Sequence, residues 1–109
     1  MAKTKDEVIE VVYESLRDVF DPEIPLNIVD LGLVYNVDLD DNNHASILIT
    51  LTSMGCPGQE MLEADSMLAA QRVPGVDSAS VEITFDPPWS PDKMTDLGRK
   101  SMSMLGFNF

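Results

Sequence analysis

The sequence predicts an α+β fold: a two-layer sandwich with the order α-β-β-α-β-α and a small mixed three-stranded sheet. Three observations carry that reading. Two alternating stretches, 33–39 and 45–52, flank a turn of Asp40-Asp41-Asn42-Asn43, the signature of a β-hairpin. A third stretch alternates Ala79, Val81, Ile83 and Phe85 with Ser78, Ser80, Glu82 and Thr84, so one of its faces is wet or lightly covered. Apolar residues before, between and after these stretches recur at helical spacing.

The first helix begins at Thr4, whose spacing to Glu7 is that of a capping box. Val8, Ile9, Val12, Leu16, Val19 and Phe20 form its apolar stripe, and Asp21-Pro22 is expected to stop it, because a residue before proline avoids the α region. A loop stiffened by Pro22 and Pro25 leads to the first strand, with Leu33, Tyr35, Val37 and Leu39 on one face. In the second strand Ala45, Ile47, Ile49 and Leu51 share a face, which puts Thr50 and Thr52 on the other. Pro57 suits the first turn of a second helix. Met61, Leu62, Leu68, Ala69 and Val73 are its expected stripe and Pro74-Gly75 its end. After the third strand, Ser90 and Pro91 read as N-cap and first residue of a last helix carrying Met94, Leu97, Met102 and Leu105. The first two strands are expected antiparallel. The third arrives through a helical crossover and is expected parallel to the second.

Composition excludes several functions. With 109 residues the chain has the size of a single domain, taken as 1–109, and 44% apolar residues are enough for one modest core. Seven Lys and Arg stand against 19 Asp and Glu, a formal charge of −12. Such a surface does not suit nucleic acid, which is bound through Lys and Arg that displace counterions, nor anionic lipid. No stretch is long and apolar enough to span a membrane, and no apolar run follows the lysines near the N-terminus as in a signal peptide. With one cysteine, Cys56, there is no intramolecular disulfide framework. The reducing cytoplasm is the economical location.

That cysteine is the chemical focus. It falls in Ser53-Met54-Gly55-Cys56-Pro57-Gly58-Gln59, between a strand and a helix start. As N-cap, its sulfur would face the N–H groups of Gly58 and Gln59, which favour a thiolate. Glu60 and Glu63 oppose one. A lone cysteine is more often a small buried hydrophobe; its glycine-flanked position argues for access instead. His44, at the other end of the second strand, is too far to act as its base, and a surface residue is the plainer reading. The run lacks the ending of a phosphate-binding loop. Thr50 and Thr52 read either as solvated or as a polar wall beside the sulfur. Asp21 and Glu23 read as a solvated loop or as part of the same site. Trp89 is expected to lid the core, and the helical methionines 61, 67, 94, 102 and 104 to fill it. No Lys or Arg occurs from Asp18 to Gln71.

Five ordered motifs carry a resemblance: Asp21-Pro22-Glu23-Ile24-Pro25, Ile28-Val29-Asp30-Leu31-Gly32-Leu33-Val34-Tyr35, Thr50-Leu51-Thr52, Gly55-Cys56-Pro57 and Asp86-Pro87-Pro88-Trp89-Ser90. Together they resemble the SufT-like metal–sulfur cluster biosynthesis family, over roughly residues 6 to 106. That family, long a domain of unknown function, includes the eukaryotic adaptor that helps deliver cytosolic iron–sulfur clusters. The resemblance implies a fold similar to the NifU C-terminal domain and a role in iron–sulfur cluster assembly. It implies that Cys56 is reactive and a metal ligand, with Asp21, Glu23, Thr50 and Thr52 around it as the cluster-binding site. The PaaD-like branch, with its cysteine-rich C-terminal segment, and the SufT proteins with an N-terminal extension are not matched.

Stoichiometry shapes the expected mechanism. An iron–sulfur cluster commonly takes four cysteine ligands, and one chain supplies one. The expectation is a transient cluster, none resident within a monomer, and a carrier or targeting adaptor acting through Cys56 on the iron–sulfur assembly machinery and apo client proteins. A homodimer pairing two Cys56 loops remains open. The alternative is a cluster-free interaction adaptor whose acidic face docks a basic client. With no base near the sulfur, an enzyme is not expected.

Overall fold

The structure is a computed structural model that describes residues 4–21, 24, 26–52 and 58–106. Its elements are α1 (Lys5–Leu16), β1 (Val34–Leu39), β2 (His44–Ile49), α2 (Gln59–Gln71), β3 (Ser78–Ile83), a 3₁₀ turn (Pro91–Lys93) and α3 (Asp96–Met104). The sheet order is β1-β2-β3, with β1 antiparallel and β3 parallel to β2. The element order is the one expected from the apolar spacing, and the mixed sheet is the one expected from the hairpin and the helical crossover.

The capping box forms at α1: the Thr4 hydroxyl accepts the Glu7 N–H and the Glu7 carboxylate accepts the Thr4 N–H. Val8, Val12 and Leu16 turn inward. The helix ends earlier than the proline suggests. The N–H groups of Arg17, Asp18 and Val19 reach the carbonyls three residues back, a tightening that closes the helix at Leu16. Val19 stays in the core, but Phe20 leaves the expected stripe and is exposed. It pairs instead with Asn27 across the loop.

In β1, Val34 lies opposite Ile49 and Asn36 opposite Leu48. Tyr35 is therefore the extra residue of a bulge. Leu33, Val37 and Leu39 are buried as expected, whereas Tyr35 is only half-buried. At the turn Asn43 takes a positive φ of 60°, and the Asp40 carboxylate accepts the N–H groups of Asn42 and His44. Ala45, Ile47, Ile49 and Leu51 of the second stretch are all buried.

α2 keeps Leu62, Ala69 and Val73 of its expected stripe inside and departs from it at Met61 and Leu68. Its inner stripe is Leu62, Ser66, Ala69 and Ala70, followed by Val73. Small side chains let α2 approach α1, where the Ser15 hydroxyl donates to the Ala69 carbonyl at 2.6 Å. The bulkier Met61 and Leu68 are rotated outward and exposed. Of the helical methionines, Met94 and Met102 fill the core, while Met61, Met67 and Met104 are exposed.

The last helix also shifts. Pro91 opens the 3₁₀ turn, and the N-cap of α3 is Thr95, not Ser90. Met102 is buried, but Leu97 and Leu105 are exposed. Trp89 packs partly buried against the core, and its Nε1 donates to the Leu31 carbonyl at 2.7 Å.

One carboxylate ties these late elements to the chain's first third. Asp30 is buried and accepts from Arg17 Nη1 at 3.0 Å, Asn27 Nδ2 at 2.7 Å and Thr95 Oγ1 at 2.9 Å. Its carbonyl accepts the Thr95 N–H at 3.0 Å. Two glycines make the approach feasible. A Cβ at Gly98 would run into the Asp30 carbonyl, and one at Gly32, where φ is +80°, into that of Lys93. Positive φ with so close a neighbour leaves glycine as the residue that fits.

Candidate functional site

The two parallel strands send their carboxyl ends to the same edge of the sheet. There β2 continues through Thr50, Leu51 and Thr52 toward the segment that holds Cys56. The turn from 86 to 90 follows β3 at that edge. The Thr84 N–H donates to the Ile49 carbonyl at 2.9 Å, and the Thr50 N–H to the Leu33 carbonyl at 2.8 Å.

Thr50 is fully buried, so the solvated reading of this residue does not hold. The bulge sets Tyr35 beside the loop that follows β3. The Tyr35 hydroxyl donates to the Pro87 carbonyl at 2.7 Å, and the Lys93 ammonium lies 5.2 Å from the ring centroid. Burial pushes the Tyr35 phenol above its ordinary pKa, and the nearby Thr50 hydroxyl pulls in the opposite direction. Thr50 Oγ1 has no partner in hydrogen-bond geometry among the described residues. Thr52 is half-buried.

Asp21 is also buried, which corrects the reading of a solvated loop. Its carboxylate accepts the Ile24 N–H at 3.0 Å, and its own N–H donates to the Leu26 carbonyl at 3.2 Å. Together with the Ile28 N–H to Val19 carbonyl bond at 2.9 Å, these close the loop after α1. Asp21 thus shapes the loop whatever else it binds.

Cys56 and Glu23 lie outside the described residues. The expected gathering of Asp21, Glu23, Thr50 and Thr52 around the sulfur therefore also lies outside them. What is described is the start of α2. The N-cap is Gly58, two positions beyond Cys56, and it makes no side-chain capping bond. Cys56 is thus not the cap residue, and the helix begins at Gln59 rather than around Pro57. The Gly58 carbonyl accepts the Leu62 N–H at 2.9 Å, which starts the helical ladder.

His44 stands at the opposite end, as its place at the start of β2 requires. It is half-buried rather than on an open surface, with Nδ1 2.7 Å from Ser78 Oγ and Nε2 3.0 Å from Ser80 Oγ. Among the described residues no three His, Cys, Asp or Glu side chains form a group able to hold a metal ion, and no helix is long and apolar enough to cross a membrane.

Asp30 is the residue whose role went unseen in the sequence. Its partner Thr95 is 65 positions away, and no local pattern reports such a bond. Only its place in the Ile28–Gly32 motif marks it.

Comparison with known proteins adds the family. The chain is 38% identical over 98 residues to an "Fe-S protein maturation auxiliary factor" of Porphyromonas gingivalis, covering 90% of each chain. It is 41% identical over 87 residues to the "Fe-S protein maturation auxiliary factor SufT" of Staphylococcus aureus, covering 79% of this chain and 98% of that one. An "iron-sulfur cluster carrier protein" of Mycobacterium leprae shares 33% identity over 82% of this chain but only 22% of its own length. A Bacillus anthracis crystal structure titled as a domain of unknown function, DUF59, superposes with a TM-score of 0.86 at 35% identity, covering 92% of this chain and 95% of the other. The model of the family described as "Iron-sulfur cluster assembly protein" matches residues 9–83, and the chain belongs to that family.

Proposed function

We propose that this protein is an auxiliary factor in iron–sulfur protein maturation that handles a cluster transiently through Cys56 and delivers it to apo client proteins. The observation that carries the reading is a single cysteine, three residues before α2, in a chain of the iron–sulfur cluster assembly family. The cluster is cargo in this reading. A cluster commonly takes four thiolates and this chain offers one, so exogenous thiol, a carboxylate, a second chain or the client itself completes the shell. The unsupplied positions favour hand-over, because an incoming client can add its cysteines before Cys56 lets go. Support for carrying comes from the names of relatives, which include both maturation factors and a cluster carrier. Asp21, Glu23, Thr50 and Thr52 complete the proposed site around the cysteine. The role is not catalytic, and it belongs to the reducing cytoplasm, where a free thiol persists.

The test is replacement of Cys56 with Ala. The variant is expected to keep the wild-type circular dichroism spectrum and melting temperature, and to fail to restore client enzyme activity in a deletion strain. Full restoration by C56A would falsify the carrier role.

The acid excess favours a second reading, in which the protein recruits a basic client and holds no cluster. Anaerobic reconstitution with iron and sulfide separates the two. Charge-transfer absorbance that depends on Cys56 supports the carrier. Absence of absorbance, with salt-sensitive capture of maturation proteins, supports the adaptor.

A further inference from the structure

Met61, Asp65, Leu68 and Arg72 follow one another at spacings of four, three and four, which lays them along one side of α2 and its cap. That side faces away from the core. Met61 and Leu68 are 52% and 54% exposed, and Asp65 and Arg72 are exposed as well. The inner stripe of Leu62, Ser66, Ala69 and Ala70 already serves the core, so packing does not account for the outer one. Asp65, Leu68 and Arg72 form one wall of an open groove of about 370 Å³, and Asp18 and Val19, just past α1, form the other.

The charges around the groove say what it fits. Asp18 and Asp65 outnumber Arg72 in its walls. A second copy of this chain is a poor occupant. It brings the same acids and another charge of −12, and like charges facing each other suppress association. The apolar area of two half-exposed side chains also falls well short of the roughly 800 Å² per partner of a stable interface. A small apolar strip with an acidic rim matches a transient partner of opposite charge.

We propose that this groove docks a basic amphipathic helix of a partner protein. Apolar side chains of that helix lie against Leu68 and Met61, and its lysines or arginines face Asp18 and Asp65. The proposal deepens the maturation-factor reading and rests on it for the partner's identity. α2 begins three residues after Cys56, so a partner lying along it is brought to the segment that carries the thiol.

The probe is a fluorescent synthetic peptide with leucines at i, i+3, i+4 and i+7 and lysines on both flanks. Controls are a peptide of the same composition with scrambled leucines and one with glutamate in place of lysine. The amphipathic lysine peptide is expected to bind, more weakly as salt rises, with both controls far weaker. Leu68→Asp is expected to lower affinity by about tenfold or more. Asp18→Lys combined with Asp65→Lys is expected to reverse the preference toward the glutamate peptide. Leu48→Ala, on the open face of the sheet, is expected to change nothing. Cys56→Ala is also expected to leave peptide binding intact, so failure of the thiol reading and failure of this one are separately visible. Equal binding of the scrambled peptide, or indifference to Leu68→Asp, overturns the proposal. So does a wild-type dimer in sedimentation equilibrium that Leu68→Asp splits, since the occupant would then be a second copy.

Discussion

The beginnings of α2 and α3 are built in opposite ways. At α3, Thr95 caps the helix by accepting the Gly98 N–H at 3.0 Å, and the same hydroxyl donates to Asp30. The cap is thereby welded to a buried carboxylate that also holds Arg17 and Asn27. At α2, a glycine stands at the cap and makes no side-chain bond. A helix start leaves its first N–H groups without partners inside the helix. The fold answers that need at α3 with side chains; among the described residues no capping side chain answers it at α2, which begins three residues after Cys56. Departures from local optimisation gather where a protein works rather than where it is merely held together.

The sharpest way to break this contrast is at its strong end. Asp30→Ala removes the acceptor for three side chains and leaves the half-buried Arg17 guanidinium with its longer, 3.8 Å contact to Glu14. A loss of about 3 kcal/mol is expected, read as a lower urea midpoint at unchanged slope. Gly98→Ala is expected to cost about 2 kcal/mol, because its methyl group meets the Asp30 backbone carbonyl rather than a yielding side chain. Thermal melting of the purified variant checks it. A cost below about 0.5 kcal/mol would mean that α3 slides without penalty and that the weld is not rigid. At the weak end the expected effect is smallest. Gly58→Ser is expected to change stability by no more than a few tenths of a kcal/mol, the usual difference between glycine and serine at a cap. A gain above 1 kcal/mol in the same urea titration would show that α2 was open to capping after all, and would remove the contrast.

Much of the fold was legible because the residues that set it act locally. Thr4 and Glu7 are one helical turn apart, and Asp40–Asn43 is a turn by composition. Ala45, Ile47, Ile49 and Leu51 state which face of β2 is inside. What was illegible depends on distant partners. In the α2 stripe Leu62, Ala69 and Val73 were legible. Met61 and Leu68 read as inner because large apolar residues attract attention, whereas the small Ser66 and Ala70 join Ala69 on the inner face and permit close approach to α1. The bulge at Tyr35 brings its hydroxyl to the Pro87 carbonyl, 52 positions away, a contact that alternation along one strand does not encode. For the site, the sequence pointed to Cys56, Asp21, Glu23, Thr50 and Thr52 through a resemblance. The structure adds that Asp21 and Thr50 are buried, which their polar side chains alone would not suggest.

The parallel pairing of β2 with β3 gives the sheet a front edge and a back edge. Asp40 and Asp41 belong to the back. Six residues of β2 separate them from Thr50, about 20 Å of extended chain, while mobile ions damp a surface charge within about 8 Å at physiological ionic strength. The hairpin acids are thus electrically silent at the front edge. Selection for solubility can add or remove them there without retuning the chemistry at the other end of the strand.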